Sequence, residues 1–179
     1  MHPLTPVPAG AEETSPLHRS RYALEGDARA LRAARQIVRG IRGTPFVLAG
    51  NSGAAQAYHA GASLLCGGLV ALFHQTERVL ARSFEDAAEI RPALAHLVGN
   101  TLWYTWTAGP QRALTGALSR GSESLVLGHL QALKAIPEAR ALYCLLGETM
   151  LELAHARGSI DSATRRRLLR VLKREARGR

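Results

Sequence analysis

Aromatic residues are scarce in this chain of 179 residues, at 5% against 46% hydrophobic residues overall. Its core must therefore be built mostly from Ala, Leu and Val, a composition suited to closely packed helices. Cysteine is nearly absent. Cys66 and Cys144 stand singly inside apolar runs with no CxxC spacing, so they read as buried thiols and exclude a disulfide framework or a zinc ribbon. No GxSxG supports a nucleophile elbow. Glu152 and His155 have the Glu-x-x-His spacing of di-iron bundles, but His74 and Glu77 run in the reverse order and complete no second pair, so no metal is expected. Strands are scarce as well. Residues 20–50 read as strand, helix, strand, and no later segment offers a strand to join them.

That strand pair is informative because it is incomplete. "RYALEG" alternates apolar residues into Asp27, a natural helix N-cap; an Ala- and Arg-rich helix follows to Gly40, and "TPFVLAG" supplies the second strand. Two parallel strands alone are marginal in water, so this crossover reads as the far edge of a larger sheet carried by another domain. The first twenty residues, rich in Pro and Gly, read as an irregular connector.

After residue 50 the pattern is helical throughout. A long helix is expected from about Gly53 to Arg82, uncharged from Ala49 to Phe73, with Gly67 and Gly68 midway where another helix could approach. Its continuously apolar or small stretch, Ala60 to Phe73, is too short to cross a bilayer, and Asn51, Ser52, Gln56, Tyr58 and His59 crowd its start. It is therefore expected to be the most buried element, with Leu64, Leu65, Leu69 and Leu72 in a core or dimer face. Ser83 with Asp86 forms a capping-box pattern before a helix near Pro92 that ends at Gly109-Pro110. The loop "LTGALSRGS" leads to Ser122, which caps "ESLVLGHLQALKA". Pro137 opens a further helix closed by Gly158, and Asp161 or Ser162 starts the last one.

Charge is unevenly placed. Of the net +9, residues 162–179 hold eight Arg or Lys against one Glu, a balance of +7. Leu168, Leu172 and Ala176 fall on one stripe of that tail, with arginines distributed around the rest. A solvated helix docked by its stripe and a surface for an anionic partner both fit this pattern. The absence of stacking aromatics and the scatter of the arginines argue against nucleic acid. "MHPLTPVPAG" has no charged region followed by an apolar stretch, and with the thiol usage this places the chain in the cytoplasm.

The segments "HPL", "YALEGD", "PFVLAG", "YHAGASLL", "GP..ALTGALSRG" and "HLQAL......ARALYCLLG" stand in the order and spacing of the C-terminal half of Rossmann-like proteins carrying the domain of unknown function 2520. Over residues 2–161 the chain resembles that family. The resemblance implies a mainly α fold: a helical bundle similar to the C-terminal domains of 6-phosphogluconate dehydrogenase-like enzymes and pyrroline-5-carboxylate reductase, with a small N-terminal strand-helix-strand edge. The expected division is a connector (1–20), a sheet-extending edge (21–50), an all-helical substrate and dimerisation domain (51–160) and a basic helix (161–179). The resemblance further implies a homodimer and NAD or NADP held by a separate N-terminal Rossmann domain, because GxGxxG is absent from this chain and "GIRGTPF" and "GNSGAA" have the wrong glycine spacing. This chain alone is then expected to be inactive. Two positions depart from the family pattern: Gly67 stands near where relatives often have Asn, and Ala117 where they commonly have Pro.

Four residues are candidates for chemistry. The resemblance places His59 where related enzymes carry an acid-base lysine facing the nicotinamide, and an imidazole can move a proton near neutral pH. His2 lies where the family's chain leaves the Rossmann core. Tyr58, about 100° from His59 around a helix, is not expected to share its task. Thr115 and Arg120 offer a hydroxyl and a guanidinium before a helix start, suited to a substrate carboxylate or phosphate; a plain capping loop is the alternative. A non-enzymatic helical module with a basic tail remains the competing reading of the whole chain.

Overall fold

The computed structural model describes residues 1–5, 17–50 and 53–177. Asn51, Ser52 and most of the N-terminal connector lie outside the described residues. Among the described residues the fold is mainly α, with seven helices and a small three-stranded sheet. The chain forms two compact units, 1–70 and 71–179.

In the first unit β1 (His2–Pro3), β2 (Arg21–Leu24) and β3 (Thr44–Val47) lie in the order β1-β2-β3. β2 and β3 are parallel, joined by α1 (Ala28–Gly40), as the sequence pattern requires. Asp27 caps α1 by accepting from the amides of Arg29 and Ala30, both at 2.8 Å. Tyr22, Leu24 and Val38 form a small core under Leu31, Ala34 and Ile41. One strand was unforeseen. β1 pairs antiparallel with β2 in the register His2↔Ala23 and Pro3↔Tyr22, so the start of the connector is sheet and not irregular chain. Prolines suit both outer strands. The amides of Thr44 and Leu48 donate to the carbonyls of Ser20, just before β2, and of Leu24 in it, which leaves Pro45, with no N–H to donate, turned to the outside of the sheet.

α2 (Ala54–Leu80) crosses from the first unit into the second. The expectation that it is the most buried element is overturned for the single chain, since none of its residues is buried. Leu64 is 79% exposed and Leu65 67%. Leu69 and Leu72 are half-buried, and a methyl group added at Gly67 or Gly68 would meet nothing within 4 Å. Among the described residues the segment 2–5 lines the face of His59, Ala62 and Ser63, and Leu64 and Leu65 lie off that face. Cys66, expected to be buried, is exposed, while Cys144 is buried. By length and composition α2 is the one described helix able to span a membrane.

The second unit contains α3 (Ile90–Ala108), the single turn α4 (Pro110–Ala113), α5 (Glu123–Ala132), α6 (Pro137–Ala156) and α7 (Ser162–Ala176). Before α3, Asp86 itself caps a short 3-10 turn by accepting from the amide of Ala88, rather than partnering a Ser83 cap. Ile90 and Leu94 anchor the first turns of α3, whereas Leu97, Leu102, Trp103, Tyr104 and Trp106 are exposed, Trp106 at 89%. The core lies among α5, α6, α7 and the segment 114–122, built from Leu118, Val126, Leu130, Cys144, Leu151, Leu168 and Leu172. α7 is thus a core helix: Val171 joins Leu168 and Leu172 inside, while Ala176 stays exposed. Gly158, at φ 78°, closes α6 as the amide of Ser159 reaches back to the carbonyl of Ala154.

Candidate functional site

Helical spacing sets out one wall of a groove in the first unit. His59, Ala62, Ser63, Cys66 and Gly67 recur at intervals of three and four residues, so they share one face of α2. The segment 2–5, held to β2 by β1 pairing and by the Leu4 amide donating to Arg21, forms the opposite wall. The groove is open and measures about 390 Å³.

Two of the four predicted residues meet there. The imidazoles of His2 and His59 stand edge to face with centroids 4.4 Å apart. Tyr58 joins them: its hydroxyl lies 3.2 Å from His2 Nδ1, and its ring stands 5.3 Å from that of His59 and 6.1 Å from Phe46. Although Tyr58 and His59 stand about 100° apart around α2, His2 reaches both side chains from outside the helix. Desolvation pushes the Tyr58 phenol above its ordinary value, so it stays protonated at neutral pH. It donates to His2 Nδ1 when that imidazole is neutral with its proton on Nε2, and accepts from Nδ1–H when the imidazole is charged. The cluster can hold and pass a proton at an open surface. No sequence spacing could have revealed the link between His2 and Tyr58, which depends on how the start of the chain enters the sheet.

Thr115 and Arg120 belong to the second unit, and both are exposed. The segment around them is a compact turn in which Ala117, Leu118 and Ser119 are buried. Gly121, at φ 68°, lets the chain turn against Thr164 and Ile160, where any side chain would collide. Ser122 stands at the start of α5, but its side chain makes no capping bond. The residue that organises this turn escaped the sequence reading. Arg157 donates to the carbonyls of Gln111 and Leu114, both at 2.9 Å, and to Ser119 Oγ at 2.5 Å. A guanidinium just beyond the end of α6 thereby satisfies one carbonyl within the single turn of α4 and one just after it. A second pair, His129 Nδ1 and the Tyr143 hydroxyl at 3.0 Å, was equally invisible in the sequence.

The β2-α1 turn tests whether these residues suit a dinucleotide. A pyrophosphate would need free amides at the start of α1, and the Asp27 carboxylate already occupies those of Arg29 and Ala30. An anion there would meet a fixed negative charge, so this crossover does not fit the cofactor. Among the described residues no three His, Cys, Asp or Glu side chains gather as metal ligands.

The geometry leaves a helical domain with a partial sheet and a histidine-lined groove. Residues 20–150 match the family described as Domain of unknown function (DUF2520). This chain belongs to that family. No curated protein and no solved structure matches it. The matched span takes in the crossover unit, all of α2 and His59, and both Thr115 and Arg120; His2 and the whole of α7 fall outside it.

Proposed function

We propose that this chain is the substrate-side and dimerisation half of an NAD(P)-dependent oxidoreductase-like protein, its nucleotide carried by a Rossmann domain outside these residues. The observation that carries the reading is the His2, Tyr58 and His59 cluster at the groove. His59 is the proton donor or acceptor toward substrate, and the Tyr58 phenol orients His2 beside it. Thr115 and Arg120 are the contacts for a substrate carboxylate or phosphate. The place of action is the cytoplasm, and the chain by itself is inactive because its own crossover offers no seat for the nucleotide.

Dimerisation is supported by the unpartnered apolar surface of α2 and, separately, of α3. Leu64 and Trp106 are each more than three-quarters exposed, and large apolar side chains in such numbers are unusual on a monomer's surface. Sedimentation velocity is expected to find a two-fold dimer, with Leu64→Lys and Trp106→Lys each giving monomers. A monomeric wild-type chain would remove the dimerisation half. For the substrate half, histidine-selective NMR titration with a panel of 2-oxo and imino acids is expected to move the His2 and His59 ring signals together while His129 stays still; a panel that moves neither overturns it.

A further inference from the structure

The sequence shows eight cations in the tail, seven of them among the described residues, and ion pairing in the structure sorts these seven. Taking about 100° per residue, Leu168, Val171 and Leu172 mark the buried side of α7. On the flanks, Arg165 is held by Glu152 and Arg167 Nε by Glu123 at 2.6 Å. Arg174 Nε reaches Glu175 at 3.3 Å, and Glu175 also pairs with Arg140. The rest point away from the core. Arg166, Arg170, Lys173 and Arg177 are all exposed, and among the described residues none has an ion pair or side-chain hydrogen bond. These four fall within an arc of about 60°, opposite the buried face, in a straight row about 16 Å long. Arg170, Lys173, Arg174 and Arg177 line one shallow depression.

Among the described residues no acid offsets the cost that this row carries. Like charges three and four residues apart weaken a helix by a few tenths of a kcal/mol per pair. The described acids that pair with α7, Glu123, Glu152 and Glu175, are spent on its flanks. We infer that this row is a docking surface for the phosphate backbone of duplex nucleic acid, read without regard to sequence. A line of point charges with a rise of about 5 Å between them suits a regular run of phosphates. The row has no Trp, Tyr or Phe on which single-stranded bases could stack, and no large apolar side chain to enter a bilayer. The scatter of arginines that argued against nucleic acid at the sequence level dissolves once the flanking cations are neutralised. This inference is independent of the oxidoreductase reading, because the row lies outside the groove and outside the family match.

Fluorescence anisotropy of the full chain with a mixed-sequence DNA duplex tests it. Four neutralised phosphates give a slope of about −3.6 in log K against log salt, so affinity is expected to fall roughly 150-fold between 50 and 200 mM salt. Arg170→Gln with Lys173→Gln should roughly halve that slope, and circular dichroism should show both exposed substitutions leaving the fold intact. The control is α1, where Arg32, Arg35 and Arg39 also share an exposed face; Arg32→Gln with Arg35→Gln should leave the slope unchanged. No binding at 50 mM salt, an equal loss in both variants, or tighter retention on anionic phospholipid vesicles than on the duplex would each overturn the proposal.

Discussion

Leu172 joins the basic tail to the rest of the second unit, and its removal has a magnitude that can be worked out. Its side chain is fully buried, in the same cluster as Leu118, Cys144, Leu151 and Leu168. Leu172→Ala deletes three carbons, about 2.4 kcal/mol at roughly 0.8 kcal/mol each. Incomplete collapse around the cavity brings the expected loss to about 3–4 kcal/mol. The neighbour opposite is Gly147, where an added methyl would lie 2.8 Å from Leu172 Cδ1 and 3.3 Å from Leu118 Cδ1. Gly147→Ala alone therefore sets a helix-propensity gain of about 1 kcal/mol against an overpacking cost of about 1–3 kcal/mol. Its net effect should be neutral to destabilising. In the Leu172→Ala background the nearer clash is gone, and the same substitution should stabilise by up to about 1 kcal/mol. Urea unfolding of the four proteins measures this as a double-mutant cycle with a coupling of at least about 1 kcal/mol. Additive effects, or a loss below about 1 kcal/mol for Leu172→Ala, would refute the view that α7 is part of the core. It would then be the docked, dispensable helix that its composition suggests.

Asp27→Ala, which strips the cap from α1, should cost about 1 kcal/mol in the same assay. Arg165 beside Glu152, and the Thr164 amide bonded to Asp161, hold both carboxyls below their ordinary range. A depressed folded value adds stability above the unfolded pKa that is lost as pH falls through the folded one. The urea midpoint should therefore drop below about pH 4, and less steeply in Glu152→Gln. Burial pushes the Cys144 thiol up. An aromatic disulfide reagent should titrate Cys66 in the native protein and reach Cys144 only after denaturant is added; two native thiols would contradict the packing of α6. Fluorescence titration with NADPH should show no binding to this chain, and micromolar affinity would mean that the carboxylate-filled turn before α1 has been misread.

Much of the local order was legible in the residues themselves. Asp27 and Asp161 as caps, Pro137 at a first turn and Gly158 past a last one are decided by short-range hydrogen bonding and φ preference, so sequence reports them directly. Alternation and Gly punctuation likewise gave β2, α1 and β3, and six ordered segments gave the family. Burial could not be read in the same way. An uncharged run such as Ala60 to Phe73 states only that water is unfavourable there, and whether a neighbour exists is settled by the other elements; among the described residues none covers Leu64. Contacts between distant residues were equally hidden. His2 beside Tyr58, Arg157 across Ser119 and His129 against Tyr143 arise from how elements dock, and no spacing encodes them. The tail shows the division most plainly. Composition fixed its charge, but among the described residues Glu123, Glu152 and Glu175, brought up from elsewhere in the second unit and from α7 itself, decided which of its cations are paired, because an ion pair depends on distance in space and not along the chain.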